Sequence, residues 1–196
     1  RGRPSTSKPR LPRVCASVGH KSPVPEGLYD ESARVPMLMR RPAAIPAGHR
    51  SDACLNTPDL MPTLLSFAGV PVPETVEGMN LSHCARNEPG LEPEAALLQG
   101  MGPSVDWDDG FEWRALRDKR YTYAVHRADG SEELYDNHQD PLQMNNLVGR
   151  LEARERLSRF REQLRRRMTE LNDTFAPITW YRDHWIENGK ILRGAR

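Results

Sequence analysis

The spacing of hydrophobic positions changes along this chain, and each change predicts a different element. Between Arg34 and Arg40 the run Val35-Pro36-Met37-Leu38-Met39 is apolar at every position, which predicts a short buried strand with Pro36 near its start. Arg41-Pro42-Ala43 stops that run, and Pro46-Ala47-Gly48 predicts a turn. A helix follows. Thr57 reads as its cap, Pro58 as its first residue, Asp59 as a charge suited to the positive end of the helix dipole, and Gly69 as its terminator. Leu60, Leu64, Phe67 and Ala68 share one face, so the helix is expected to be half buried on that face. Pro62 falls in the opening turns, where it removes at most one backbone bond. Gly78 to Pro93 has the Gly, Asn, Ser and Pro of irregular structure.

Farther along the period becomes two. Tyr121, Tyr123 and Val125 alternate with Arg120, Thr122 and Ala124, the pattern of a strand with one buried face. Trp113 to Arg117 precedes it across Asp118-Lys119, and Glu132 to Tyr135 follows it across Ala128-Asp129-Gly130. Three antiparallel strands joined by tight turns are therefore expected. Such a meander needs a cover. A helix from Leu151 to Leu171 can provide it, because Leu157, Phe160, Leu164, Met168 and Leu171 fall within about 80° of one another around a helix.

Composition narrows the class. The 196 residues carry 28 Lys and Arg against 27 Asp and Glu, a net charge of +1, so the whole chain has no electrostatic reason to seek nucleic acid or an anionic membrane. Charge is local: no acid occurs before Glu26, while Arg1, Arg3, Lys8, Arg10, Arg13 and Lys21 stand among Pro4, Pro9, Pro12, Pro23 and Pro25. That stretch cannot bury enough apolar surface to order itself. Cys15, Cys54 and Cys84 are odd in number and widely spaced, which argues against a disulfide scaffold or a zinc site. No apolar run approaches the roughly 20 residues that span a bilayer.

Two groups of motifs carry a resemblance. The first is Tyr29-Asp30-Glu31-Ser32-Ala33-Arg34-Val35-Pro36, then Arg41-Pro42, Ile45-Pro46-Ala47-Gly48, Thr57-Pro58-Asp59-Leu60-Met61-Pro62-Thr63-Leu64-Leu65 and Ala68-Gly69-Val70. The second is Arg114-Ala115-Leu116-Arg117, Arg120-Tyr121-Thr122-Tyr123, Leu134-Tyr135-Asp136, Asp140-Pro141 and Asn145-Asn146-Leu147. In order and spacing these resemble the C-terminal third of the sulfatase family, from about Tyr29 to Leu171. The resemblance implies an alkaline-phosphatase-like α/β fold, of which these residues would form an α+β end portion: a small antiparallel sheet packed by a long C-terminal helix. It also implies hydrolysis of a sulfate ester, on a small molecule or a glycan, by a formylglycine made within a C-x-P-x-R motif. The metal, usually calcium, would be held by Asp and Asn oxygens, as suits a hard cation.

The chain departs from that pattern where the chemistry resides. Cys15 is followed by Ala16-Ser17-Val18, Cys54 by Leu55-Asn56-Thr57 and Cys84 by Ala85-Arg86-Asn87, so none forms C-x-P-x-R. The family's paired acidic residues and its D-H-G or D-N-G metal motif are missing as well. No cofactor is therefore expected within this chain, and calcium is expected in an intact parent enzyme. By resemblance, His20 and Lys21 are the candidate catalytic residues, as contacts to the substrate sulfate, although the family's lysine stands nearer the aromatic, where this chain has Pro25. The implied organisation is residues 1–28 as a basic, disordered segment and 29–196 as the sulfatase C-terminal region. Within the latter, 29–78 would end the main α/β domain, 110–171 would form the C-terminal sheet and helix, and 172–196 a tail. A truncated or frame-shifted reading frame lacking an N-terminal half would account for the deficit.

Plainer readings stand beside these. Trp107, Trp113, Tyr121 and Tyr123 could line a pocket, but in a strand pattern they are expected in the core. Arg154, Arg156, Arg159, Arg161, Arg165, Arg166 and Arg167 could serve a polyanion, yet Glu152, Glu155, Glu162 and Glu170 lie among them, as on a solvated face. Trp180, Tyr181 and Trp185 are expected to dock on the body of the domain. The alternative to an enzyme's end portion is a stand-alone module that binds a polyanion or a partner subunit.

Overall fold

A computed structural model describes residues 28–101 and 109–184, together with the backbone of 186–187 and 190–191. The alternating segments form strands as expected: β2 (Trp113–Arg117), β3 (Tyr121–His126) and β4 (Glu132–Asp136), paired antiparallel. One more strand, β1 (Ala96–Gly100), pairs with β2 from Ala96↔Arg117 to Gly100↔Trp113, giving a four-stranded sheet in the order β1-β2-β3-β4. Its sequence, Ala-Leu-Leu-Gln-Gly, has no strand signal, since Ala, Leu and Gln favour helices. Pairing with β2 overrides that propensity, and Gly100 is required there because a Cβ would lie 2.1 Å from Nε1 of Trp113.

A 3₁₀ turn (Leu151–Ala153) leads into the long helix, here α4 (Arg154–Glu170), preceded in the chain by α1 (Asp30–Ala33), α2 (Thr57–Ala68) and α3 (Ser82–Arg86). Leu157, Phe160 and Leu164 of α4 pack on Leu116, Tyr121, Tyr123 and Leu134 of the sheet. Phe160 stacks on Tyr123 at 5.8 Å. The helix face read from the sequence is the buried one, with Met168 partly buried at its end. The single-faced strand expected for β3 needs correction. Thr122 and Ala124 are as buried as Tyr121 and Tyr123, because a second cluster of Leu28, Trp113, Ala115, Ala124 and Tyr135 covers the opposite face.

Two further expectations are corrected. Asn56, one residue earlier than Thr57, caps α2: its side chain accepts from the Thr57 N–H at 2.7 Å, and Asp59 accepts from the Asn56 N–H at 2.8 Å. Gly69 ends the helix at φ 69° as predicted. Of the face predicted to be buried on α2, only Phe67 is buried. Asp59, Pro62, Thr63 and Phe67 are buried, whereas Leu64 is 53% exposed and Ala68 is also exposed. Polar groups decide this. Asp59 accepts from Met79 N–H at 2.8 Å, and Thr63 Oγ1 accepts from Leu81 N–H at 2.9 Å, which draws the 78–82 loop and α3 onto the polar side. Gly78 permits the approach, since a Cβ would fall 2.0 Å from the Pro58 carbonyl oxygen. Nor is 34–40 a buried strand. It has no regular structure, and Val35 and Leu38 are 76% and 95% exposed, because nothing among the described residues pairs with it.

Candidate functional site

The first motif group meets the second on the sheet face opposite α4. Leu28 is buried there, and Tyr29 and Asp30 follow as the entry to α1. Arg117 at the end of β2 holds Asp30 through both carboxylate oxygens, Nε to Oδ1 at 2.7 Å and Nη2 to Oδ2 at 2.9 Å. The Asp30 N–H donates to Gln143 Oε1 at 2.6 Å. Gln143 reaches it from a left-handed backbone position (φ 53°), in a loop closed by Asp140, which accepts from the Asn145 N–H at 2.7 Å.

Beside this clamp lies a carboxylate ringed by donors. Glu133 accepts from Tyr135 Oη at 2.6 Å and Tyr29 Oη at 3.3 Å, and bonds His126 Nε2 at 2.8 Å. Burial alone would raise the Glu133 pKa, but the hydrogen bonds from His126 and Tyr135 outweigh it and hold the carboxyl below its usual range. The hydroxyls of Tyr135 and Tyr29 are pushed up, first by burial and then by the Glu133 charge. They are therefore donors that stay protonated, and none of the three groups is poised as a base or nucleophile near neutrality. The cluster fixes geometry.

The second motif group proves structural as well. Asn146 caps the open edge of β4: Oδ1 accepts from the Leu134 and Val148 N–H groups, both at 3.1 Å, and Nδ2 donates to the Glu132 carbonyl at 3.0 Å. Asp136 takes Arg120 through Nε at 3.0 Å and Nη2 at 2.5 Å, and that hydrogen bonding lowers its pKa to about 2. Trp113, Tyr121 and Tyr123 are buried in the core, and of the three only Tyr121 also borders an open cleft; Trp107 lies outside the described residues. The tail is anchored by Asp173, in a bidentate pair with the buried Arg114, and by Ile178, whose N–H donates to the buried Glu112 at 2.7 Å. Trp180 stays 42% exposed and stacks on His184; Trp185 lies outside the described residues.

His20 and Lys21, the residues assigned to sulfate, also lie outside the described residues, as does Cys15. Cys54 and Cys84 are free, and burial pushes both thiols up, away from reactivity. Among the described residues no group of three or more His, Cys, Asp or Glu could hold a metal ion. An open cleft of about 420 Å³ is lined by Tyr121 and by charged residues that include Glu92, Lys119, Arg120, Arg156 and Arg159. Part of its charge is paired: Lys119 bridges Asp52 at 2.8 Å and Glu92 at 3.0 Å, Arg120 serves Asp136, and Arg156 lies over the Tyr121 ring at 3.9 Å. No helix among the described residues is long and apolar enough to cross a membrane.

This arrangement, a small antiparallel sheet with α4 on one face and the Tyr29–Asp30 entry on the other, is that of an alkaline-phosphatase-like sulfatase's end portion. A solved structure, titled as a complex with its substrate D-glucosamine-2-N,6-O-disulfate, superposes with a TM-score of 0.67 at 28% identity, over 76% of this chain and 31% of that one. Residues 26–173 match the family model described as N-sulphoglucosamine sulphohydrolase, C-terminal, and the chain belongs to that sulfatase family. Among its relatives are an ulvan-active sulfatase of Formosa agariphila, 33% identical over 78% of this chain and 30% of its own length, and an N-acetylglucosamine-6-O-sulfatase of Bacteroides thetaiotaomicron, 31% identical over 64% and 23%. The chain thus spans less than a third of the length of these relatives.

Proposed function

We propose that this chain is the C-terminal portion of a sulfatase-like hydrolase that acts on a sulfated glycan, and that these 196 residues alone do not catalyse the reaction. The observation that carries the reading is the match of residues 26–173 to a sulfatase C-terminal family in a sequence with no C-x-P-x-R motif. The glycan class follows the names of the relatives, which act on ulvan and on sulfated glucosamine. The nucleophile and calcium would belong to the portion of the fold for which this chain has no counterpart. His20 and Lys21 would contact the substrate sulfate, and the Asp30–Arg117 clamp would hold the segment that follows them against the sheet.

The test is hydrolysis of an aryl sulfate and of glucosamine 6-sulfate by the chain alone, with and without added calcium. No turnover above a blank is expected; clear turnover would overturn the claim that the missing motifs are essential. The other reading, a polyanion-binding module, is weakened by the pairing of the helix arginines: Arg161 with Glu132, Arg165 with Glu162, and Arg167 with Glu170. Retention on a heparin column at moderate ionic strength would revive it.

A further inference from the structure

The cleft between α4 and the β2–β3 turn holds two arginines whose charge the fold leaves unspent. Sequence spacing offers each of them a carboxylate: Glu152 stands four residues before Arg156, and Glu155 four before Arg159, the spacing that favours an ion pair on a helix. Neither pair forms. Among the described residues no carboxylate is in ion-pair range of either guanidinium, whereas Arg161, Arg165, Arg166 and Arg167 farther along α4 all have acidic partners. Both arginines border the cleft instead. Arg156 lies over the Tyr121 ring at 3.9 Å, and Arg120 lies over the same ring at 5.0 Å, so the Arg156 guanidinium is held in place by that ring. The acids of the cleft wall are engaged elsewhere: Glu92 with Lys119 at 3.0 Å, Glu94 with Gln163 at 3.0 Å and Arg166 at 3.7 Å, and Asp118 with the N–H groups of Arg120 and Tyr121 at 2.7 and 2.5 Å.

We propose that this cleft binds a sulfate group of a glycan, with Arg156 and Arg159 donating to the sulfate oxygens and Glu92 and Glu94 accepting from hydroxyls of the sugar that carries it. The choice of sulfate among oxyanions rests on the reading of the chain as part of a glycan sulfatase; the pair of unspent arginines rests on the geometry alone. A guanidinium suits such a group, because its planar N–H donors reach two oxygens at once. At about 420 Å³ the cleft is of a size that takes a small ligand. A nucleic-acid backbone fits it less well: it carries a phosphate at every step, needs a track of unpaired cations, and would meet Glu92 and Glu94 here. Two arginines are likewise too few to retain a polymer at moderate ionic strength, so the site is one for a short saccharide.

The experiment titrates the whole chain with D-glucosamine-2-N,6-O-disulfate at low ionic strength by calorimetry, with unsulfated glucosamine and a short single-stranded DNA as comparisons. Saturable binding of the disulfate is expected, weakened roughly tenfold or more in the Arg156→Gln, Arg159→Gln double variant, as the loss of charge-assisted hydrogen bonds requires. Because Arg156 also packs on Tyr121, Arg159→Gln alone is the variant that leaves the core untouched, and it should weaken binding roughly threefold or more. The Arg165→Gln, Arg167→Gln double variant removes the same charge from the paired part of α4 and should bind as the unaltered chain does. No saturable binding, or binding that survives the change of both Arg156 and Arg159, would overturn the proposal. So would equal weakening by the two double variants, the mark of diffuse attraction over the whole helix. Equal affinity for unsulfated glucosamine, or tighter binding of the DNA, would overturn the sulfated glycan as the ligand. Turnover by the chain alone bears on the sulfatase reading and not on this cleft.

Discussion

Arg117 holds Asp30 with two parallel hydrogen bonds, 2.7 and 2.9 Å, across 87 residues of sequence, with both side chains mostly shielded from water. Truncating Arg117 to Ala leaves a half-buried carboxylate without its donor, a loss of about 1–3 kcal/mol. Chemical denaturation should show that loss. Limited proteolysis should then cut between 28 and 34 faster than in the unaltered chain. Arg117→Lys should recover only part of it, because an ammonium cannot present the planar two-pronged donor.

Acid should weaken the chain through Asp136. Its folded-state pKa of about 2 lies below the ordinary carboxylate value because Arg120 and the His138 and Gln139 N–H groups stabilise the charged form. A group depressed in the folded state contributes stability that is full above the unfolded pKa, near 4, and is lost as pH falls through the folded value. The loss should therefore fall between about pH 4 and pH 2 and amount to about 1–2 kcal/mol, discounted because Arg120 is partly exposed. Asp136→Asn should flatten the pH dependence of the melting temperature in that window; an unchanged slope would remove Asp136 from the explanation.

A larger effect is expected at Arg114 and Asp173, whose side chains are 1% and 6% exposed. Removing either partner strands a buried charge, and Asp173→Ala should cost about 3–5 kcal/mol. The 173–184 segment should come loose with it, since Asp173 also accepts from the Phe175 N–H. Thermal melting and the exchange rates of the Ile178 and Thr179 amides check both parts.

Asn146→Ala should cost about 1–2 kcal/mol, because the Leu134 N–H and the Glu132 carbonyl lose their partner at an edge that water reaches in part. The signature Asn145-Asn146-Leu147 is thus expected to act on folding stability rather than on substrate. Urea denaturation of the Ala variant, with Asn146→Asp as a comparison that keeps the acceptor but not the donor, separates the two bonds.

Leu64→Lys should change the stability of the chain alone by no more than about 0.5 kcal/mol, although the sequence pattern places Leu64 on a buried helix face. Leu157→Ala on α4 should cost about 2–5 kcal/mol by contrast. Equal losses at the two leucines, measured by denaturation, would show that α2 packs the way the pattern implies.

That contrast marks where the sequence was legible. In α4 the apolar positions and the buried positions coincide, because the sheet that covers the helix lies in the same chain. In α2 the apolar stripe is just as readable, but nothing among the described residues covers Met61 and Leu64, and the side that is buried is chosen by Asp59 and Thr63 meeting the 79–81 backbone. The segment 34–40 fails as a strand for the same reason. Strand β1 was invisible because its residues favour helices and only the ladder to β2 makes it extended. The candidate site was legible as motifs and not as a constellation: nothing local tells that Asp30 meets Arg117 and Gln143, or that Glu133 gathers two tyrosines and a histidine.

By itself the sequence determined the strand–turn–strand meander, the buried face of the long helix, the terminator at Gly69, the membership in a sulfatase family and the lack of its nucleophile motif. These depend on local periodicity, on turn chemistry and on which residues are present. Tertiary structure decided the rest: the fourth strand, the burial of both sheet faces, the orientation of α2 and the clamp on Asp30. Each of these depends on which distant backbone and side-chain groups satisfy one another's hydrogen bonds, and that is settled only when the segments meet in space.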